Sequence, residues 1–194
     1  MTKAQYIQEI KRNLLGGLEV ALFMPVARKR FGTTKDEAMR SFIVPILFMP
    51  LTVIALCFYS NAALPQSSVH IVAALYSFRL VFMWGLFFSI VYWITKEVEK
   101  KEHFYQFVIA TNWLTVPATA IFIPVAYMLI TGMYQWSELY PFTMCLVMYS
   151  YAFTGFMAAY ILRIPWELAG FIVFLGICVD NTSYEMFYWI GAQL

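Results

Sequence analysis

Two residues of opposite charge lie inside apolar runs of this chain, where a charge is costly unless another group neutralises it. Arg79 stands ten residues into the run that begins at Val69, and Asp180 stands twelve residues into the run 168–190. A helix rises about 1.5 Å per residue, so these residues lie about 15 Å and about 18 Å along their runs. An apolar layer about 30 Å thick would hold both near its midplane. We therefore predict an ion pair between Arg79 and Asp180 that joins two helices.

Two asparagines complete the candidate polar cluster. Asn181 adjoins Asp180 as a candidate third member, and Asn112 lies in another apolar run, a few residues to one side of the midplane. An amide in such a run usually hydrogen-bonds to a neighbouring helix. The cluster Arg79, Asp180, Asn181 and Asn112 supports three interpretations: a fastening that fixes how the helices pack, a path for a proton, an ion or a substrate, or a contact with a partner subunit.

The sequence contains no motif for catalysis, for a cofactor or for a metal ion. A Gly-rich phosphate loop, an HExxH pair and a GxSxG elbow are all missing. His70 and His103 fall at opposite ends of apolar runs, and the three cysteines stand apart from one another. The basic residues border apolar runs instead of forming a nucleic-acid-binding patch. We therefore predict no enzyme activity, no cofactor, no metal site and no nucleic-acid partner.

The composition indicates an integral membrane protein of the all-α class. Hydrophobic residues make up 62% of the chain and charged residues 12%, about half the charged share of a soluble domain. We predict a cytoplasmic amphipathic and interfacial region at 1–40 and a five-helix transmembrane bundle at 41–194. The predicted spans are 41–63, 69–95, 104–131, 140–162 and 168–190.

The residues before the first span predict a short amphipathic helix at 1–16, with apolar residues every four positions from Tyr6 to Leu14. This helix could lie on an anionic leaflet or pack on the cytoplasmic end of the protein itself. The apolar stretch 18–24 is too short to cross a membrane, which predicts a shallow or re-entrant segment. The sequence Thr34-Lys-Asp-Glu37 predicts a capped helix start.

The loop charges predict the orientation. Every Lys and Arg except Arg79 lies before residue 41, in the loop after residue 95, or in the turn at Arg163. Because basic loops stay on the cytoplasmic side, we predict a cytoplasmic N-terminus and an extracytoplasmic C-terminus.

One stretch carries a family resemblance. The run Phe31-Gly-Thr-Thr-Lys-Asp-Glu-Ala-Met-Arg-Ser-Phe42, which leads into a span containing Met49-Pro-Leu51, resembles the start of the bacterial Yip1-domain-like membrane proteins. In that family an amphipathic entry segment precedes a similar run into the first helix. The resemblance implies five spans and a cytoplasmic N-terminus in a bacterial inner membrane.

These observations predict a non-enzymatic inner-membrane protein, a structural or accessory subunit. Its expected partners are membrane lipids and other membrane-protein subunits or a second copy of itself. The alternative is a small transporter or channel subunit that uses the polar midplane cluster. A water-accessible cavity that reaches Arg79 would favour the transporter, and a defined co-purifying partner would favour the accessory subunit.

Overall fold

The computed structural model describes residues 3–60 and 68–193, and all the regular structure in these two ranges is helical. The α-helices are α1 (Lys3–Ala21), α2 (Lys35–Ser41), α3 (Ile43–Ser60), α4 (Val69–Glu97), α5 (Phe104–Ile130), α6 (Trp136–Leu162) and α7 (Trp166–Gln193). Two 3-10 helices, Pro25–Arg30 and Lys101–His103, follow α1 and α4. The predicted end of the first span and most of the turn after it lie outside the described residues.

Four helical segments are long and apolar enough to cross a membrane. They are Lys35–Ile54, Val69–Glu97, Lys101–Met128 and Ser137–Leu162, and they overlap the first four predicted spans. The predicted fifth span, which α7 contains, is not among them. Asp180, Asn181 and Glu185 make the second half of α7 polar and lower its mean hydropathy. The chain thus has the helices of a multi-pass membrane protein, with four segments that meet the requirement by length and apolarity.

The five long helices α3 to α7 pack in a ring. In this ring α5 contacts α3 and α6, α4 contacts α3 and α7, and α6 contacts α7. At one end of the ring, α4 and α6 end and α5 and α7 begin. We call it the basic end, because it holds Lys100, Lys101 and Arg163. Core residues such as Phe107, Ile161 and Ile172 are fully buried towards this end.

The opposite end of the ring is more open. Between residues 120 and 150, Val125, Leu139 and Thr143 are the only buried side chains among those described. The tight core of α5 and α6 therefore lies at the basic end, whereas α4 and α7 keep buried residues such as Val72, Tyr76 and Phe187 at the opposite end.

Helix α1 is part of the bundle. It is longer than the predicted helix 1–16, because it continues through Gly16 and Gly17 to Ala21, and it packs along α5. A Cβ atom on Gly17 would lie 2.8 Å from the carbonyl oxygen of Trp113. Glycine is therefore what lets α1 approach the backbone of α5 so closely. Of the two predicted placements, the structure shows the one in which the helix packs on the protein itself.

The tip of α1 reaches far into the bundle. Tyr149 on α6 donates its hydroxyl to the carbonyl oxygen of Ala21. The ring of Phe23, in the left-handed turn that follows, packs edge-on against Tyr149 and Phe156. Tyr149 lies thirteen residues before the end of α6 at Leu162, which is about 20 Å along the helix. The chain turns back here, within the stretch that was predicted to be re-entrant.

The 3-10 helix Pro25–Arg30 returns the chain to the basic end. There the Gln106 side chain donates from Nε2 to the carbonyl oxygens of Arg28 at 2.7 Å and Phe31 at 3.1 Å. We call residues 3–30 the N-terminal hairpin, since they enter the bundle and leave it on the same side.

Helix α2 begins with the predicted cap, because the Thr34 hydroxyl accepts a hydrogen bond from the Glu37 backbone N–H at 3.3 Å. Helix α2 ends at Ser41 and α3 begins at Ile43, so the capped helix stops where the first predicted span, 41–63, begins.

Candidate functional site

A guanidinium group is buried between α4 and α7. Arg79 is 5% exposed, and its Nη2 donates to the Asp180 carboxylate and, at 3.1 Å, to the Asp180 carbonyl oxygen. Its Nε donates to the Ser183 hydroxyl at 3.2 Å, and the ring of Tyr184 lies 5.4 Å from the guanidinium carbon. The predicted contact between Arg79 and Asp180 is present, and it joins the two helices on which the prediction placed it. We call Arg79, Asp180, Ser183 and Tyr184 the Arg79 cluster.

Ser183 takes the place that was predicted for Asn181. Residues three apart lie on one face of a helix, whereas adjacent residues point about 100° apart. Ser183 therefore faces α4 together with Asp180, and its hydroxyl also donates to the Asp180 carbonyl oxygen at 2.8 Å. Asn181 is exposed on another face of α7. The three-residue spacing was the signal in the sequence that could have identified Ser183.

Asn112 lies apart from the Arg79 cluster. It is buried on α5, where its Nδ2 donates to the Ser41 hydroxyl at 2.8 Å. Ser41 in turn donates to the Ala38 carbonyl oxygen at 2.7 Å. Asn112 is thus an interhelical hydrogen bonder that fixes α2 to α5, and it does not join the predicted four-residue cluster.

The two charges of the ion pair differ in exposure. The Arg79 side chain is 6% exposed, whereas that of Asp180 is 53% exposed. The cluster therefore buries its guanidinium group and leaves its carboxylate half-exposed.

The second half of α7 also presents polar side chains away from the ring. Asn181, Thr182 and Glu185 are exposed, and a spacing of four residues places Asn181 and Glu185 on one side of the helix. We call these three residues the α7 polar face.

A second polar site lies at the basic end, where three ion pairs hold the N-terminal hairpin. Two of them join α1 to α2, and the third closes the hairpin on itself. The pairs are Arg12–Glu37 at 2.8 Å, Arg40–Glu9 at 2.9 Å and Arg30–Glu19 at 2.9 Å. The hydrogen bonds to Glu19 raise the pKa of the Arg30 guanidinium above its ordinary value.

A cavity of about 990 Å³ opens between α1 and α2 around these pairs. We call it the basic-end cavity. Its charged lining comprises the cations Lys11, Arg12, Arg30 and Arg40 and the carboxylates Glu9, Asp36 and Glu37. Within the described part of the chain, Lys11 and Asp36 are the lining charges without an ion-pair partner. The sequence held no signal for this cavity, because it exists only through the packing of α1 against α2.

Comparison with known proteins gives no match: no protein-family model, no curated protein and no solved structure matches this chain. The likeness to Yip1-domain-like proteins, which rests on Phe31–Phe42, Met49-Pro-Leu51 and the predicted topology, stays a prediction.

Proposed function

We propose that this chain is a non-enzymatic multi-pass membrane protein that acts as an accessory subunit and contacts a partner membrane protein through α7. The observation that carries the proposal is the α7 polar face. Lipid tails cannot hydrogen-bond to Asn181, and a carboxylate such as Glu185 is costly in the hydrocarbon layer. A helix of a partner subunit that supplies polar groups at this depth satisfies them.

The closure of the Arg79 cluster supports a structural role over a transport role. The guanidinium meets a carboxylate, a hydroxyl, a carbonyl and an aromatic ring of its own chain. A cation satisfied in this way fixes the pairing of α4 with α7 and leaves little binding capacity for a substrate.

The proposal includes α7 as a fifth crossing helix. Helix α7 runs antiparallel to α4 from Gly176, beside Phe87, to Phe187, beside Phe78 and Phe82. If α4 crosses the membrane, α7 crosses beside it. The basic end then lies in the cytoplasm, so the N-terminus is cytoplasmic and the C-terminus extracytoplasmic, in a bacterial inner membrane of the Yip1-like arrangement.

A photo-crosslinking amino acid at Asn181 tests the contact in native membranes. The matched control is Ile123 on α5, which is 46% exposed and apolar. We expect a protein adduct of one defined mass from position 181 and lipid adducts alone from position 123. Lipid adducts alone at both positions would refute the partner contact. An adduct of twice the mass of the chain would replace the accessory role with self-association.

A transporter or channel subunit is the second candidate, favoured by the half-exposed Asp180 carboxylate beside a buried cation. A water-filled path to this group would make Thr182→Cys react with a membrane-impermeant maleimide, after the native cysteines are replaced by serine. Phe174→Cys, on the apolar part of α7, is the control. Equal protection of both positions from both sides of the membrane would remove the support for transport.

A further inference from the structure

We propose that the basic-end cavity binds a phospholipid with a primary-amine headgroup, and that the acyl chains of this lipid lie along one face of α1. This inference rests on the membrane placement in the proposed function. It adds a class of ligand and a second binding site to that function. This site lies at the opposite end of the bundle from the α7 polar face.

The charges of the cavity suit a headgroup that carries both signs. Glu9 and Glu37 are neutralised by arginines, which leaves Lys11 and Asp36 as opposite charges in one cavity. A phosphodiester accepts hydrogen bonds from a lysine ammonium group, and a primary ammonium group donates to a carboxylate. We therefore place the lipid phosphate at Lys11 and the lipid amine at Asp36.

The arginines of the cavity add further donors. The side chains of Arg12, Arg30 and Arg40 are 40%, 39% and 38% exposed although each is in an ion pair. A guanidinium has five N–H donors, more than one carboxylate uses. The phosphate can therefore share these arginines without breaking the pairs that hold the hairpin.

An apolar path leads from the cavity along α1. Lys11, Leu15, Leu18 and Leu22 recur at steps of four, three and four residues, which places them on one helix face. Leu22 directly follows α1 and continues its turn, because its backbone N–H donates to the Leu18 carbonyl oxygen at 3.1 Å. Leu15 lines the cavity, and the three leucines are 42%, 44% and 68% exposed. We call them the leucine face.

The length of this path matches one half of a bilayer. From Lys11 to Leu22 the helix rises about 16 Å, close to half of a hydrocarbon core of about 30 Å. A charged group at one end and exposed leucines over the depth of one leaflet match a phospholipid. A soluble phosphate compound would use the cavity alone, so the leucine face distinguishes the two ligands.

Binding to the purified full chain in detergent tests the site, by native mass spectrometry with dioleoyl phosphatidylethanolamine, phosphatidylcholine and phosphatidylglycerol. We expect phosphatidylethanolamine to bind most tightly. Lys11→Gln and Asp36→Asn should each weaken its binding about tenfold, through the loss of one charge-assisted hydrogen bond. Lys29→Gln is the control, because Lys29 is exposed and does not line the cavity.

Binding of the soluble headgroup glycerophosphoethanolamine distinguishes a phospholipid ligand from a soluble phosphate compound. Leu18→Ser and Leu22→Ser should weaken binding of the lipid and leave binding of the soluble headgroup unchanged. A preference for phosphatidylglycerol that Asp36→Asn strengthens would overturn the proposal, as would binding that is indifferent to Lys11→Gln. If lipid binding fails while position 181 still crosslinks to a partner, this inference alone is wrong.

Discussion

At the scale of single residues, the Arg79 cluster surrounds a buried positive charge with several interacting groups. Asp180 and Ser183 are three residues apart on α7, so one helix face meets the guanidinium with a carboxylate, a carbonyl and a hydroxyl. A buried cation left without its carboxylate is strongly unfavourable, whereas an apolar pair in the same place is often tolerated. Removing one member of the pair should therefore destabilise the protein more than replacing both members with apolar residues.

This asymmetry predicts the outcome of a double-mutant cycle. Asp180→Leu should lower the free energy of unfolding by about 3 kcal/mol, the lower end of the range for one-sided removal, because the carboxylate is half-exposed. Arg79→Leu combined with Asp180→Leu should recover about half of that loss. Detergent-induced unfolding in mixed micelles measures both values, and Thr182→Ala, outside the pair, should change the stability by less than about 0.5 kcal/mol. Additive single effects would contradict the interpretation.

The sequence predicted the residues of this pair because depth along a helix follows from residue counting. It did not predict the partner of Asn112, because that hydrogen bond requires α2 to end at Ser41 against α5. Charge and depth can be derived from one helix at a time, whereas an amide partner depends on which helices are neighbours.

At the scale of helices, the close packing of α1 against α5 depends on Gly17, which has no side chain. Gly16 and Gly17 look like a helix break in the sequence, yet both lie inside α1. A glycine in a helix is consistent with a break or with a close helix contact, and only the packing distinguishes the two. For the same reason the sequence could leave open, but not decide, whether this helix lies on lipid or on protein.

Gly17→Ala should dislodge α1 from α5. The new Cβ atom would lie 2.8 Å from a backbone oxygen that cannot rotate away, and such overpacking costs about 1–3 kcal/mol. Limited proteolysis of α1 and the free energy of unfolding report the change. Gly85→Ala is the matched control, since no atom lies within 4 Å of its Cβ position, and it should be neutral or stabilising by about 0.5–1 kcal/mol. Equal effects of the two changes would argue against the close contact.

At the scale of the whole molecule, apolar length predicted five spans. Four of them overlap helical segments that are long and apolar enough to cross a membrane, and the fifth, in α7, does not meet that criterion. Its polar residues partly serve a contact with α4 and are partly exposed. Mean hydropathy is an average over a helix and cannot distinguish a polar residue that a neighbour satisfies from one that lipid must accommodate. The ring order of the helices was also beyond the sequence, because it depends on many weak apolar contacts.

The five crossings of the proposed function predict which positions react with a membrane-impermeant maleimide in intact cells. In a background without native cysteines, Met133→Cys and Gln193→Cys should react from outside, and Lys100→Cys only after permeabilisation. Reaction of Gln193→Cys from the inside alone would show that α7 does not cross, and external reaction of Lys100→Cys would reverse the orientation.

The docking of the N-terminal hairpin has a consequence for biogenesis. The hairpin leaves the ribosome before α5 and α6, yet its tip binds Tyr149, which is 128 positions later in the chain than Ala21. Trp113, which accommodates Gly17, is also synthesised long after it. The hairpin therefore cannot complete its docking until α5 and α6 have been synthesised. Nascent chains arrested before α6 should be cleaved near Met24 by an added protease, whereas chains arrested after α6 should resist.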